Sequence, residues 1–315
     1  MFRVVHRSFN QYSSLLVGSQ RQLLFYNQSF LRTQGSDPIE LSFYQTKTSD
    51  DNKESVPLLA FHGLFGNKNN LRSLINQIAA MTRRQSYSFD LRNHGESPHV
   101  PFDRFTIELM ATDILNFMDR NGFKKAILMG HSLGGRVVAQ FAFNWPEMIE
   151  KLILVDIGPL SSLPRIEFLT ENFFHLLDSC LKDLPPNINL SDARIQVKKI
   201  LNEKIKNTLI ADFLVLNLYQ NQNERSICWR FNLDAIEKFI AKGSIKNMDI
   251  KKPFSGQSMI IYGENSPYVR PEQFDQIRAV MPSVKFVGIP ETGHYLHVEK
   301  PVQFIQKVID FIGST

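Results

Sequence analysis

A mostly parallel central sheet with helices on both faces, an α/β architecture carrying a helical insertion, is predicted by three features of this 315-residue chain. Short apolar runs of strand type alternate with amphipathic helical patterns between about residues 56 and 158. From about 159 to 248 the strand pattern is replaced by helical stretches, and it returns toward the C-terminus. The composition, 43% hydrophobic and 21% charged, is that of a globular protein with enough apolar residues to bury a sizeable core.

Taken in order, "PIELSFYQ" sets Ile39, Leu41 and Phe43 against polar neighbours, as in a half-buried strand. "VPLLAFHG" is a short apolar run ending at Gly63, the form of a strand covered on both faces. Leu71, Leu74, Ile75 and Ile78 follow at i, i+3, i+4 and i+7, which predicts a helix. "QSYSFDLRNHG" reads as a strand leaving through a turn, and "TIELMATDILNFMDRNGF" as an amphipathic helix stopping near Gly122. The strand "KAILMG", the helix "GRVVAQFAFNWPEMI" and the strand "KLILVDIGP" complete the first half. In the insertion, four helical stretches are expected, within "RIEFLTENFFHLLDSCLKDL", "SDARIQVKKILNEKI", "NTLIADFLVLNLYQ" and "NLDAIEKFIAKG". "QSMIIYGEN", a helix around "PEQFDQIRAVM", "VKFVGIPETGH" and a closing helix "PVQFIQKVIDFIG" restore the β-α alternation.

Charge and cysteine content exclude several classes. Residues 1–36 carry Arg3, Arg7, Arg21 and Arg32, six serines and scattered apolar residues, with no acid before Asp37. That is the composition of a mitochondrial targeting segment, and it lacks the apolar block of a secretory signal. Removing those four arginines from the formal net charge of +5 leaves +1, so residues 37–315 are nearly neutral and their charge does not point to a nucleic-acid partner. Cys180 and Cys228 fit neither a disulfide framework nor a zinc-ligand spacing, which suits a reduced compartment such as the matrix. No apolar run approaches the ~18 to 20 residues of a membrane span, so peripheral contact is the most a membrane is expected to receive.

The chemistry concentrates in "AILMGHSLGG", residues 126–135. Ser132 follows a strand and precedes a helix, with Gly130 and Gly134 on either side and Gly135 next. At a Gly usage of ~7%, and a similar Ser usage, G-x-S-x-G arises by chance in about one chain in ten of this length. The strand-turn-helix setting is what gives it meaning: small residues permit a tight turn, the hydroxyl is lifted above the sheet edge, and the helix start points N–H groups at a developing oxyanion.

In this setting "FHGLFG" resembles the oxyanion loop of the α/β-hydrolase superfamily, and "GHSLGG" its nucleophile elbow. "DLRNHGESP" resembles the turn after the fourth strand, and "ETGHYLHVEKP" the histidine loop. Four motifs in the superfamily's order, spread over about residues 38–312, make the resemblance specific. "HGLFGNKNN", "DLRNHGESPH", "VDIGP" and "WRFNLDAI" resemble the group of abhydrolase domain-containing protein 11, with its bacterial short-chain esterase relatives. Animal members of that group are described as mitochondrial lipases or esterases, and yeast ethanol acetyltransferases share much of the pattern. The resemblance implies an α/β-hydrolase fold and a serine hydrolase acting without cofactor or metal.

His294, after the strand "VKFVGI" and beside Gly293, is the candidate general base that a serine hydroxyl needs. His62 and His131 are read as supports of the loop and elbow glycines, His94 and His99 as fixing the turn after the fourth strand, and His297 as fixing a helix start. For the acid, many α/β-hydrolases use a G-x-x-D after the strand that follows the cap, where this chain reads Gly263, Glu264, Asn265, Ser266. Ser266 cannot be an anion. Asp156, at the end of "LILVDIGP", sits where parallel-sheet sites assemble, and the order Ser, Asp, His is that of the superfamily. Asp234 in "FNLDAI" is the alternative, although Asn-Leu-Asp before a helical run is also a capping signal; Glu264 ranks third. The oxyanion donors expected are the backbone N–H groups of Leu64 and Leu133.

The expected activity is cleavage of carboxylic esters of apolar acyl groups, from short-chain esters to acylglycerols, through an acyl-enzyme on Ser132. Two alternatives stay open: transfer of the same acyl group to an alcohol, and a non-catalytic role as an interaction or stabilising partner of other mitochondrial proteins. The apolar faces of the insertion, with Phe168, Phe173, Phe174, Leu176 and Leu177, then Phe213, Leu214, Leu216 and Leu218, either line an acyl pocket or pack the insertion on the sheet.

Overall fold

The computed structural model describes residues 38–47, 55–160, 171–243, 248, 250 and 252–313. The targeting segment read at 1–36 and the two junctions of the insertion, at 161–170 and 244–247, therefore lie outside the described residues. The described residues from Ile39 onward form one compact unit.

Seven strands make the central sheet: β1 (Phe43–Gln45), β2 (Leu58–Phe61), β3 (Ser86–Phe89), β4 (Ala126–His131), β5 (Ile149–Val155), β8 (Ser258–Gly263) and β9 (Val284–Ile289). Their order is β1-β3-β2-β4-β5-β8-β9. β1 runs antiparallel to β3 and every other pairing is parallel. The strand-rich first half and the returning strands thus join one sheet, with the helices α1 (Asn69–Thr82), α2 (Ile107–Arg120), α3 (Leu133–Asn144), α8 (Phe274–Val280), α9 (Leu296–Glu299) and α10 (Pro301–Gly313) between and after them.

Both faces of the sheet are covered, and β2, β3 and β4 are buried along their whole length, β2 as an unbroken apolar run and β3 with its serines as well as its aromatic residues buried. Alternate residues of β2, β4, β5 and β8, among them Leu58, Ile127, Ile153 and Met259, join Leu71, Leu74, Ile75 and Ile78 of α1 and Phe304, Val308 and Phe311 of α10 in one core. α3 packs against β2, β4 and β5 from the other face, with α2 against it. α3 ends at Asn144, five residues before the expected end at Ile149, because Pro146 holds its predecessor out of helical geometry. At the sheet edge, Leu41 is buried but Phe43 remains 42% exposed, since β1 has a neighbour on one side only.

Between β5 and β8 the chain forms α4 (Glu171–Lys182), α5 (Leu190–Ile205), α6 (Thr208–Val215) and α7 (Leu233–Ala241). It also forms a feature the helical reading lacked, an antiparallel pair of three-residue strands, β6 (Leu218–Gln220) and β7 (Ile227–Trp229). This segment packs onto the loops that end β2 and β3: Phe65 meets the rings of Phe173, Phe174 and Phe231, and Asn232 N–H donates to Asn93 O at 2.9 Å.

The strand order reverses at β2 and β4: the chain passes from β2 out to β3, then returns across to β4 on the other side. Loops leaving the C-terminal ends of strands diverge at such a point and open a crevice. The "FHGLFG" loop and the Ser132 turn leave from those two strands.

Candidate active site

The turn after β4 is made possible by two missing side chains. A Cβ on Gly130 would stand 2.3 Å from Gly134 O, and one on Gly134 would stand 2.5 Å from Phe61 O. With both absent, the chain reverses from β4 into α3 in contact with β2, and Gly134 N–H donates to His62 O at 3.1 Å. Ser132 occupies the apex at φ +52° and ψ −113°, a conformation L residues rarely adopt. Its N–H donates to Val155 O at 3.1 Å, fastening the turn to β5. Leu133 opens α3, so its N–H belongs to a first turn without intrahelical acceptors. Leu64 follows Gly63 in the loop after β2 and is half-buried.

The opposite side of the turn is assembled from the ends of β5, β8 and β9. Asp156 follows β5, is fully buried and takes φ +51°. His294 Nδ1 lies 2.7 Å from Asp156 Oδ2. Gly263 N–H donates to Asp156 Oδ1 at 3.1 Å, and the Ser266 hydroxyl donates to Oδ2 in a short hydrogen bond. Three donors from two other loops thus satisfy a carboxylate that has no access to water. The Tyr268 ring stacks on His294 with centroids 4.0 Å apart and planes at 19°, and burial, with Tyr295 and Asp156 nearby, pushes its hydroxyl well above the usual tyrosine range. His131 Nε2 donates to the His294 carbonyl at 2.9 Å. Both the ring and the backbone of His294 are therefore held, while its side chain stays 16% exposed.

The loops after β2 and β3 are tied together by two further histidines. His62 Nε2 accepts from Leu91 N–H at 3.0 Å while Nδ1 donates to Gly63 O at 2.7 Å. His94 Nε2 accepts from Phe65 N–H at 3.2 Å while Nδ1 donates to Arg92 O at 3.0 Å. Burial lowers His62 to about 4 and His94 to about 3, so both are neutral and can accept at one nitrogen and donate at the other. The turn after β3 is anchored in turn by Arg92, whose fully buried guanidinium holds both oxygens of Asp113 in α2, at 2.7 and 2.6 Å.

Of the candidate acids, the structure brings Asp156 to His294 and leaves the others apart. Asp234 stands in the first turn of α7, 70% exposed and paired with Lys238 at 2.8 Å, and the Asn232 side chain caps that helix by accepting from Ala235 N–H. Glu264 is exposed in the loop after β8. His99, read as a support of its own turn, reaches instead toward Arg230 O at 3.4 Å, in the segment between β5 and β8. His297, read as fixing a helix start, lies in the first turn of α9, where burial lowers it to about 3 and its Nδ1 has no hydrogen-bond partner among the described residues. Two residues of this cluster escape a reading of the sequence. A search of "YGENSPYV" for an anion passes over Ser266, although its place after β8 was the available signal; no local pattern marks Tyr268.

Fold and site together define an α/β hydrolase. The family model for the alpha/beta hydrolase fold matches residues 56–301, and the chain belongs to that family. It is 32% identical over 264 residues to the mouse (Mus musculus) sn-1-specific diacylglycerol lipase ABHD11, spanning 84% of this chain and 83% of that protein. It is 26% identical over 315 residues to a probable alcohol acetyltransferase of Saccharomyces cerevisiae, spanning 95% and 91% of the two chains. Among solved structures, a marine microorganism esterase superposes with a TM-score of 0.72 at 30% identity, covering 87% of this chain and 99% of its own. The protein is an esterase- or lipase-type hydrolase. No helix of the described residues is long and apolar enough to cross a membrane.

Proposed function

We propose that this protein cleaves carboxylic esters of apolar acyl groups, from short-chain esters to acylglycerols, through an acyl-enzyme on Ser132. The observation that carries the reading is the 2.7 Å contact between His294 Nδ1 and a buried Asp156, on loops that flank the Ser132 turn. With Nδ1 committed to the carboxylate, Nε2 is the nitrogen left to take the Ser132 proton as Oγ attacks the ester carbonyl. The N–H groups of Leu133 and Leu64 receive the oxyanion. His294 then returns the proton to the departing alcohol, and water, activated by the same imidazole, releases the acid and restores Ser132. Asp156 holds the imidazole in its tautomer and stabilises the imidazolium as it forms.

Labelling with a fluorophosphonate probe, followed by intact mass, tests the reading. A single adduct is expected on the wild type and none on Ser132→Ala, with ester hydrolysis reduced ~10³-fold or more in Ser132→Ala and His294→Ala. Folded wild-type protein that takes no adduct would refute it. The likeness to yeast alcohol acetyltransferases supports a second use of the same intermediate, transfer to an alcohol. Rising ethanol should then divert product from free acid to ethyl ester; product that stays acid at every ethanol concentration excludes it. The acid-free, arginine-bearing residues 1–36 support a mitochondrial location. A fluorescent protein fused behind them should enter mitochondria and remain outside when the four arginines are replaced by glutamine.

A further inference from the structure

Beside the Ser132 turn lies a cavity of about 540 Å³, within the size range of small-molecule sites. Gly63 and His131 line it from the site side, and Leu209, Phe213 and Leu216 of α6 and its C-terminal end line it from above. Gly63 stands against Ser132: a Cβ there would come within 3.2 Å of Ser132 Cβ and 2.8 Å of His131 Nδ1. On the far wall Tyr295, the neighbour of His294, meets Phe213 at a ring distance of 5.8 Å. The cavity and the reacting serine are thus separated by a residue without a side chain.

The lining suits hydrocarbon. Several of its polar groups already have partners: the Asn67 amide donates to Asn217 Oδ1 at 2.7 Å, Asn70 Oδ1 accepts from Asn67 N–H at 2.6 Å, and Asp212 is paired with Lys198. The histidines that border it, His62, His131 and His297, are held neutral by burial. At the opening, Leu209, Leu216 and Val298 are 39%, 56% and 52% exposed and stand beside the polar Asn69 and Asp212. The two apolar faces of the insertion therefore divide. Phe173 and Phe174 pack on Phe65, while Phe213 and Leu216 turn to the cavity.

We infer that this cavity receives the acyl chain of the ester, and that Leu209, Phe213 and Leu216 set the chain length accepted. The inference rests on the acyl-enzyme reading above, and two measurements separate their failures. The first is the ratio of kcat/KM for p-nitrophenyl decanoate to that for p-nitrophenyl acetate. Leu209→Trp and Leu216→Trp, both at exposed rim positions that tolerate bulk in the fold, should lower the ratio at least about tenfold, and Phe213→Ala should raise it. One methylene in an apolar pocket is already worth roughly 10- to 200-fold in discrimination. Acetate esters of ethanol through decanol should keep their relative rates in all three variants. A change confined to this alcohol series, or no change in either series, would overturn the inference. The second measurement is calorimetric binding of decanoate to Ser132→Ala protein, which needs no turnover. Binding weakened at least about tenfold by Leu216→Trp supports the cavity even if no fluorophosphonate adduct forms. Absent binding, or equal affinity in the two proteins, refutes the cavity even if the adduct forms.

Discussion

On one side of Ser132, His294 sets Nδ1 against a carboxylate and keeps part of its ring exposed; on the other, His62 and His94 are buried and spend both nitrogens on backbone groups. The side chain is the same and the partner decides what it can do. An imidazole paired with backbone donors and acceptors is stabilised as the neutral ring and acts as a rigid strut between loops. An imidazole beside Asp156 gains from becoming charged, which is what a base must do in mid-reaction. The struts hold the loop that carries Leu64, and the paired ring serves Ser132.

The largest way to break this contrast is to remove the charge from the His294 side. Asp156→Asn keeps the shape of the carboxylate but offers the wrong hydrogen-bonding partner, and kcat should fall by about 10³- to 10⁴-fold. Stopped assays with p-nitrophenyl acetate would measure it. A loss under tenfold would assign the acid role elsewhere.

Ser266→Ala probes the same side more gently. It removes one of three donors to Asp156 and leaves Tyr268 N–H, 3.3 Å from the hydroxyl, without that acceptor. A hydrogen bond to a charged group is worth about 1.5 to 3 kcal/mol, so kcat should drop roughly ten- to a hundredfold with KM little changed. Ser266→Thr, which keeps the hydroxyl, should recover most of the rate. If alanine and threonine behave alike, Ser266 does not position Asp156.

The strut side is read in stability rather than rate. His94 is lowered to about 3 in the folded protein and titrates near 6.5 when unfolded. Between those values the unfolded chain binds the extra proton, so the strut's contribution is complete above about pH 6.5 and is lost as pH falls toward 3. In His94→Gln, urea unfolding at pH 7, 6 and 5 should give a stability curve less steep by up to about 1.4 kcal/mol per pH unit. Equal slopes in the two proteins would mean that His94 is not held neutral.

How much of this was legible follows from the range of each interaction. Gly130, Ser132 and Gly134 stand in one short stretch, and the sterics that require them act between adjacent turns, so the sequence displays them. Asp156 was legible through its place at a strand end, given a parallel sheet. Ser266 and Tyr268 were not, because their partners are 110 and 26 residues away and neither residue type carries a charge to suggest the pairing. The β6–β7 pair escaped for a different reason: three-residue strands are too short to show alternation, and Leu218–Gln220 continues the apolar run of α6. The split between the packing face and the cavity face of the insertion depends on which loop each phenylalanine meets, a tertiary fact with no local signature.

The smallest effect expected is at the other acid. Asp234 and Lys238 are one helical turn apart and solvent-exposed, and such pairs contribute about 0.3 to 0.5 kcal/mol. Asp234→Asn should leave stability within about 0.5 kcal/mol of the wild type, reduced mainly by the lost anion in the first turn of α7. Its effect on kcat should stay below about twofold, because the carboxylate points its charge at Lys238 and Asn232 already supplies the cap. The comparison is sharpest in one experiment: Asp156→Asn and Asp234→Asn assayed side by side at pH 7. Two aspartates, each near the end of a secondary-structure element, should differ by at least two orders of magnitude. A buried acceptor shared by three donors and a surface charge paired with an exposed lysine are different chemical groups despite the same side chain.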